Sequence, residues 1–589
     1  MIRIISFGLM KSILTKIKQV DKRDAMAIGL AILLSLVIYG EYIAAPFGDY
    51  DTWFERIAYG NYELKELPYP LQKLGIPTSL HEYIEYRERV VGRLFGSVLP
   101  TYALMSLFGH WAPGWRIVLY LLMFASYWLL YSIMKNIAMP YWHRFIALLF
   151  FVILLNRYFF KPISIIIGLS HFFFLLSIWL ELNNGGRRGF RLHRSLWGAL
   201  FVFLSLFIRE LSAVSIAAFL AVLLFWHNEN GRVDIDFQWN WKRLLPYSLA
   251  AIVYSALYLK MSLYKVEYAY SNLISWRIDL AYVKRIFLLL LKWLGMDTSS
   301  YLGLFLMLIS GAIFILALAK AGYLPRKTET FQLVFGILLL VPALLLIPLL
   351  RHGTGSFTLQ YLACMILLSS LIGYMEKSEL GHLLKKAIQV VFCIVFGALW
   401  IVYALEARQK AENFCEDAHV TAEAVEITAS ELPQNGAVEL EGFPVTSAYS
   451  FMSDIFISGR RDINNFNMKI NPDIDNSLMY MEYLRAGFAD PDHICSEPAA
   501  LIKKWRLTVS ANKVEQTNAN FDRIIKRSVR KYSVGYMMAE KNERNYKHKQ
   551  GKHGFGDEYC SKMLFGVRAD TLKKQLLKEI GFRIDYNKY

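Results

Sequence analysis

Apolar residues gather along this chain in long runs, separated by short stretches that hold most of the charge. A helix needs about 20 apolar residues to cross a bilayer's hydrocarbon core, so the pattern predicts about eleven spans. They begin near Met26, Arg116, Arg144, Ile163, Leu196, Leu211, Pro246, Tyr301, Phe331, Phe357 and Ala387. The fifth and sixth are short and flank Arg209-Glu210, so a single broken unit is the alternative to two helices. Residues 94–108, with Gly96 and Pro100, and residues 286–294, with Lys292, fit helices lying at the interface. The expected fold is an all-α polytopic membrane bundle over residues 1–406, followed by a soluble α+β domain over residues 407–589.

Composition supports this reading. At 55% hydrophobic and 15% aromatic residues, with a mean hydropathy of +0.32, the chain is too apolar for an ordinary soluble protein, and the excess must face lipid. The net charge of +17 raises nucleic acid as a partner, but cytoplasmic loops of membrane proteins also collect Lys and Arg. No nucleic-acid recognition motif accompanies the charge, so membrane lipid is the expected partner and nucleic acid is not. Five cysteines are too few for a disulfide framework, and none of them has a metal-ligand spacing. Residues 26–45 are too long for a signal-peptide core and read as a retained anchor.

The basic residues orient the bundle. Lys11, Lys16, Lys18, Lys22 and Arg23 precede the first span, which places the N-terminus in the cytoplasm. Alternation then puts Arg187, Arg188, Arg191 and Arg194 on that side, with Lys242-Arg243, Arg326-Lys327 and Lys385-Lys386. An odd number of spans leaves the tail on the outer face. The first external loop, residues 46–115, is long and rich in Asp, Glu, Arg and aromatics.

Candidate chemistry starts in that loop. Gly48-Asp49-Tyr50-Asp51 stands just outside the first span, followed by Trp53, Glu55 and Arg56. Carboxylates at a membrane boundary suit a general base or a cation ligand. Taken alone, Asp-x-Asp is more simply a solvated turn. Further along stand Gly92-Arg93-Leu94 and Gly114-Trp115-Arg116, then Ser170-His171-Phe172, the basic loop, and Arg209-Glu210-Leu211-Ser212. Arg351-His352-Gly353-Thr354-Gly355 precedes Gln360-Tyr361-Leu362. Arg209-Glu210 also reads as an intrahelical ion pair, and the Gly-rich turn at 353–355 needs no function. The Lys- and His-rich stretch at 545–553 fits no metal site.

This order of motifs, over residues 26–405, resembles the GT-C glycosyltransferases. These include protein-mannosyltransferase-like enzymes and bacterial glucosyltransferases that modify O-antigen. The resemblance implies a glycosyltransferase of the bacterial inner membrane, with a cytoplasmic N-terminus and a periplasmic tail. It would move a sugar from a polyprenyl-phosphate donor to a glycan, lipid or protein acceptor. Asp49 or Asp51 would be the general base. Arg93, Arg209 and Arg351 would meet the lipid-linked phosphate, with Glu210 and His352 beside them in the substrate site. No cofactor is implied, and the paired carboxylates leave a divalent cation open. A transporter or flippase, or a polymerase of lipid-linked glycans, is the competing reading.

Overall fold

The computed structural model describes most of residues 21–262, then 327–346, 358–377, most of 400–426, and 437–444, 453–459, 465–471, 506–511 and 514–517. The predicted spans at Tyr301 and, in large part, at Ala387, and the interfacial helix at 286–294, lie outside the described residues.

The first helix, α1 (Lys22–Tyr39), shows how the sequence divides lipid from bundle. The side chain of Asp21 caps it by accepting from the Arg23 amide at 3.2 Å. Met26, Leu30, Leu33 and Val37 form an exposed stripe, while Ala27, Ala31, Ser35 and Ile38 are buried on the other side. Large residues thus meet lipid, and small ones let helices approach closely. The Ser35 hydroxyl is satisfied by the Ala31 carbonyl at 2.9 Å and the Tyr127 hydroxyl at 2.8 Å.

Beyond α1 come three short helices of the first loop: α2 (Tyr50–Tyr59), α3 (Leu80–Glu85) and α4 (Leu99–Phe108). Then follow α5 (Ala112–Asn136), α6 (Tyr141–Leu154), α7 (Ile165–Leu182), α8 (Leu192–Ile208) and α9 (Ile216–Phe225). A hairpin of β1 (Trp226–Glu229) and β2 (Arg232–Ile235) leads to α10 (Trp241–Ser262). The remaining described long helices are α11 (Lys327–Leu346) and α12 (Thr358–Lys377). Among the described residues, three helices are long and apolar enough to cross a membrane: Lys22–Ile43, Ala112–Asn136 and Ile165–Leu182. Pro100 and Pro113 open α4 and α5, where a missing amide hydrogen does no harm. As expected, α4 has two faces: Leu99, Tyr102 and Leu107 are exposed, while Pro100, Thr101 and Leu104 are buried.

Polar clusters mark the two ends of the bundle. At one end, Asp24 accepts from Tyr131 (2.6 Å) and Lys135, and lies 3.5 Å from Arg144. The same end gathers Glu181, Ser195, Trp226 and Arg243, from α7, α8, β1 and α10. Gln332 of α11 reaches the Ile137 carbonyl, and Ser369 of α12 lies 2.8 Å from His143. The opposite end carries the first loop, where Arg116 reaches the Pro46 and Phe47 carbonyls. The helices α5 to α10 therefore alternate in direction.

The alternative reading of Arg209-Glu210 as an intrahelical pair does not hold for Arg209. Helix α8 stops at Ile208, and Arg209 is extended (φ −157°, ψ 126°), so two helices stand where one broken unit was the alternative. Glu210 lies outside the described residues.

In the tail, β3 (Ala437–Pro444), β4 (Asn465–Asn471), β5 (Arg506–Ala511) and β6 (Val514–Thr517) form one sheet in the order β4-β3-β5-β6. β3 runs parallel to β4, pairing Val438 with Phe466, and antiparallel to β5, pairing Val438 with Val509. A parallel pair needs a crossover, and the helical turn at 453–457 lies on it. This turn and Phe414 both pack on the first-loop end of the bundle. These parts of the tail thus share a face with the first loop. Membrane sidedness follows from labelling. An impermeant thiol reagent on intact cells should modify a cysteine placed at Asn476 and spare one at Gly189; equal labelling, or labelling at Gly189 alone, overturns the orientation.

Candidate functional site

At the loop end, the chain around the acidic turn is fixed by aromatic and cationic side chains. Trp115 and Arg116, in the first turns of α5, are fully buried. The Trp115 indole donates to the Gly109 carbonyl at 3.1 Å, and its ring meets Phe47 edge-on at 5.5 Å. Arg116 donates to the carbonyls of Pro46 and, at 3.3 Å, Phe47. These are the last residues before Gly48-Asp49.

Beyond that motif, the second half of α2 is buried all round, at Glu55, Arg56, Ile57, Ala58 and Tyr59. Asp51 is its second residue. The Glu55 carboxylate accepts from the Tyr83 hydroxyl at 2.9 Å. Tyr59 and Tyr83 meet edge-on at 5.4 Å, and the Tyr59 hydroxyl lies 2.7 Å from that of Thr101. Burial, and then the negative charge of Glu55, push both phenols well above their ordinary range, so each stays a neutral hydrogen-bond donor. Arg87 lies beside the same tyrosine: its guanidinium is 5.8 Å from the Tyr83 ring and donates to the Ser97 hydroxyl at 3.4 Å.

Arg56 faces the opposite way. Its guanidinium covers the Phe47 ring at 4.3 Å, donates to His110 Nδ1 at 3.3 Å and pairs with Asp454 of the tail. Desolvation, and then the Arg56 charge, lower the His110 imidazole to about 4, so it accepts this hydrogen bond in its neutral form.

A second group brings α8 to the loop. Ser170 donates to the carbonyls of Ser205 (3.0 Å) and Arg209 (3.2 Å), holding the end of α8 against α7. His171 is buried within electrostatic range of Arg209. Leu94 and Phe95 pack on Phe207, with the two phenyl rings 4.8 Å apart. Gly96 permits the approach, because a Cβ there would stand 2.5 Å from the Phe207 carbonyl oxygen. The segment that follows Arg93 and the turn that carries Arg209 therefore adjoin.

The expected site residues divide accordingly. The structure places Arg209 at the loop end and the backbone of Asp51 in α2. Asp49, Arg93, Glu210, Arg351 and His352 lie outside the described residues. Glu55, Arg56, Arg116 and Asp454 organise the site although the motif reading assigned them no role. Glu55 and Arg56 were detectable as charges one helical turn beyond Asp51, whereas Asp454 stands in a stretch without a motif.

No family profile and no curated protein matches this chain. Its fold is similar to solved structures of the arabinofuranosyltransferase AftD from Mycobacteria and of ArnT from Cupriavidus metallidurans bound to undecaprenyl phosphate. For a mutant form of AftD the identity is 16%, over 65% of this chain and 28% of that one, with a TM-score of 0.38. For a second AftD structure the identity is 14%, over 72% and 30%, with a TM-score of 0.37. For ArnT the identity is 11%, over 80% and 88%, with a TM-score of 0.37. The chain thus spans less than a third of the length of the AftD chains it matches. Likenesses of this size leave the functional reading to the chain's own residues.

Proposed function

We propose that this chain is an integral membrane glycosyltransferase of the GT-C kind, moving a sugar from a polyprenyl-phosphate donor to an extracytoplasmic glycan, lipid or protein. The observation that carries the reading is the meeting, at one end of an apolar bundle, of the acidic helix α2, the segment after Arg93, and Arg209. A donor with an isoprenoid chain needs both an apolar path and cations at the membrane boundary, and this arrangement offers both.

The reaction is displacement at the anomeric carbon. An acceptor hydroxyl forms the new C–O bond, its proton passes to Asp49 or Asp51, and the bond to the lipid phosphate breaks. Arg209, with Arg93 and Arg351, stabilises the charge that collects on the departing phosphate, for which a guanidinium fork is well shaped. Glu210 and His352 belong to the same substrate site. The phosphate leaves as an anion, so the proposal includes no cofactor.

Incubating the purified protein with labelled polyprenyl-phosphate sugars and acceptor glycans tests the reading directly. A glycosylated product supports it; donor movement between leaflets without product supports a transporter. Arg209→Ala and Arg351→Ala should each weaken donor use while the protein stays folded. Loss of a buried charge-assisted partner costs about 2–5 kcal/mol, so the donor KM should rise at least tenfold. Normal donor KM in both variants removes the arginines from the site.

A further inference from the structure

Two arginines hold the ends of the acidic turn, and the tail engages both. Arg116 fixes the carbonyls of Pro46 and Phe47, and its guanidinium lies 6.0 Å from the ring of Phe414. Phe414 in turn packs on Tyr42 at 5.2 Å. Arg56, five residues beyond Asp51, covers Phe47 and pairs with Asp454. Beside that pair, Phe456 meets Tyr62 edge-on at 4.8 Å. Ser453, Ile455 and Phe456 are fully buried, so this helical turn is seated in the bundle end and not merely resting on it.

We propose that the tail is a wall of the acidic-loop site, and that Arg56 is the positioning residue through which Asp454 holds Phe47 to α2, the two flanks of the acidic motif. The catalytic consequence rests on the glycosyltransferase reading; the coupling itself does not. A base must sit within about 1 Å of its productive position, and Phe47 and α2 are the flanks on either side of the acidic motif. Arg56 joins the two flanks by stacking on Phe47 from α2. Its burial depends on the Asp454 carboxylate, because a buried guanidinium without a counter-charge is strongly unfavourable. With Asp454 neutral, the Arg56 head is drawn toward water and its hold on Phe47 is lost.

The test uses the full chain in nanodiscs and the near-isosteric Asp454→Asn variant. Amide exchange over residues 46–60 should quicken about tenfold or more, while exchange over 165–182 stays unchanged. Sugar transfer should lose kcat with donor KM preserved, the opposite of the arginine variants above. Asp454→Glu, which keeps the counter-charge beside Arg56, should restore part of both readouts. Unchanged exchange over 46–60, or equal loosening of the whole bundle, overturns the coupling. If wild-type protein transfers no sugar while 46–60 still responds to Asp454→Asn, the coupling stands and the enzymatic reading falls. If transfer is intact and 46–60 is silent, the coupling alone falls.

Discussion

Asn in place of the catalytic carboxylate of the acidic turn should lower sugar transfer by about 10²–10⁴-fold, the usual contribution of a general base, with donor binding retained. The exchange of Asp for Asn keeps size while removing the charge and the basicity, so the thermal unfolding of each variant is compared with the wild type beside its activity. Asp49 and Asp51 are equal candidates, because the sequence does not say which carboxylate faces the acceptor. One single variant should therefore be nearly inactive and the other mildly impaired. If both fail and added divalent cation partly rescues the weaker one, the pair shares a metal, and a chelator should then silence the wild type. Transfer by the double variant at the wild-type rate ends the catalytic reading of the loop, and a transporter takes its place.

How far the sequence reached depends on the physical signal behind each element. The long spans were legible because lipid demands an unbroken apolar run, and the expected starts at Met26, Arg116 and Ile163 fall in or beside α1, α5 and α7. The hairpin after α9 was not read from the sequence: no strand was expected at β1 or β2, although Asn230-Gly231 between them is a common sequence signal for a two-residue hairpin loop. Arg209 was found as a charge at the end of an apolar run, but its backbone was not, since only the break after Ile208 separates a helical ion pair from an extended turn.

The candidate site was legible only as far as it is local. Glu55 and Arg56 follow Asp51 within one helical turn, so their proximity is written into the chain. The pairing of Arg56 with Asp454 joins residues 398 positions apart, and no local pattern announces it. Tyr83 and Arg87 illustrate the same limit. They stand in a stretch without a motif, and their place follows from tertiary contacts: Tyr83 donates to the buried Glu55 carboxylate, and Arg87 lies beside the Tyr83 ring.

The largest loss of stability should come from the end of the bundle opposite the site. Arg243 and Glu181 form an ion pair at 2.7 Å whose side chains are 1% and 0% exposed. Every remaining polar atom of the pair is used to join helix ends. The arginine donates to the carbonyls of Leu223 (2.9 Å), Trp226 (2.9 Å) and Glu181 (3.2 Å). The carboxylate accepts from Ser195 (2.7 Å) and Tyr247 (2.8 Å). The cluster thus ties α7, α8, α9 and α10 together at one level. Arg243→Met keeps the apolar stem and strands the carboxylate, a change that costs about 3–5 kcal/mol when the remaining charge stays buried. Glu181→Gln should cost a similar amount for the converse reason. The double variant should cost less than the sum of the two, because neither charge is left alone. Thermal unfolding of the purified variants in detergent measures all three. Sixteen residues of α7 separate Glu181 from Ile165, about 24 Å at 1.5 Å per residue, so kcat per folded molecule should hardly change. Unfolding of Arg243→Met at the wild-type temperature would show that the pair is not holding the helix ends together, and a fall in kcat without a fall in stability would move the cluster into the reaction itself.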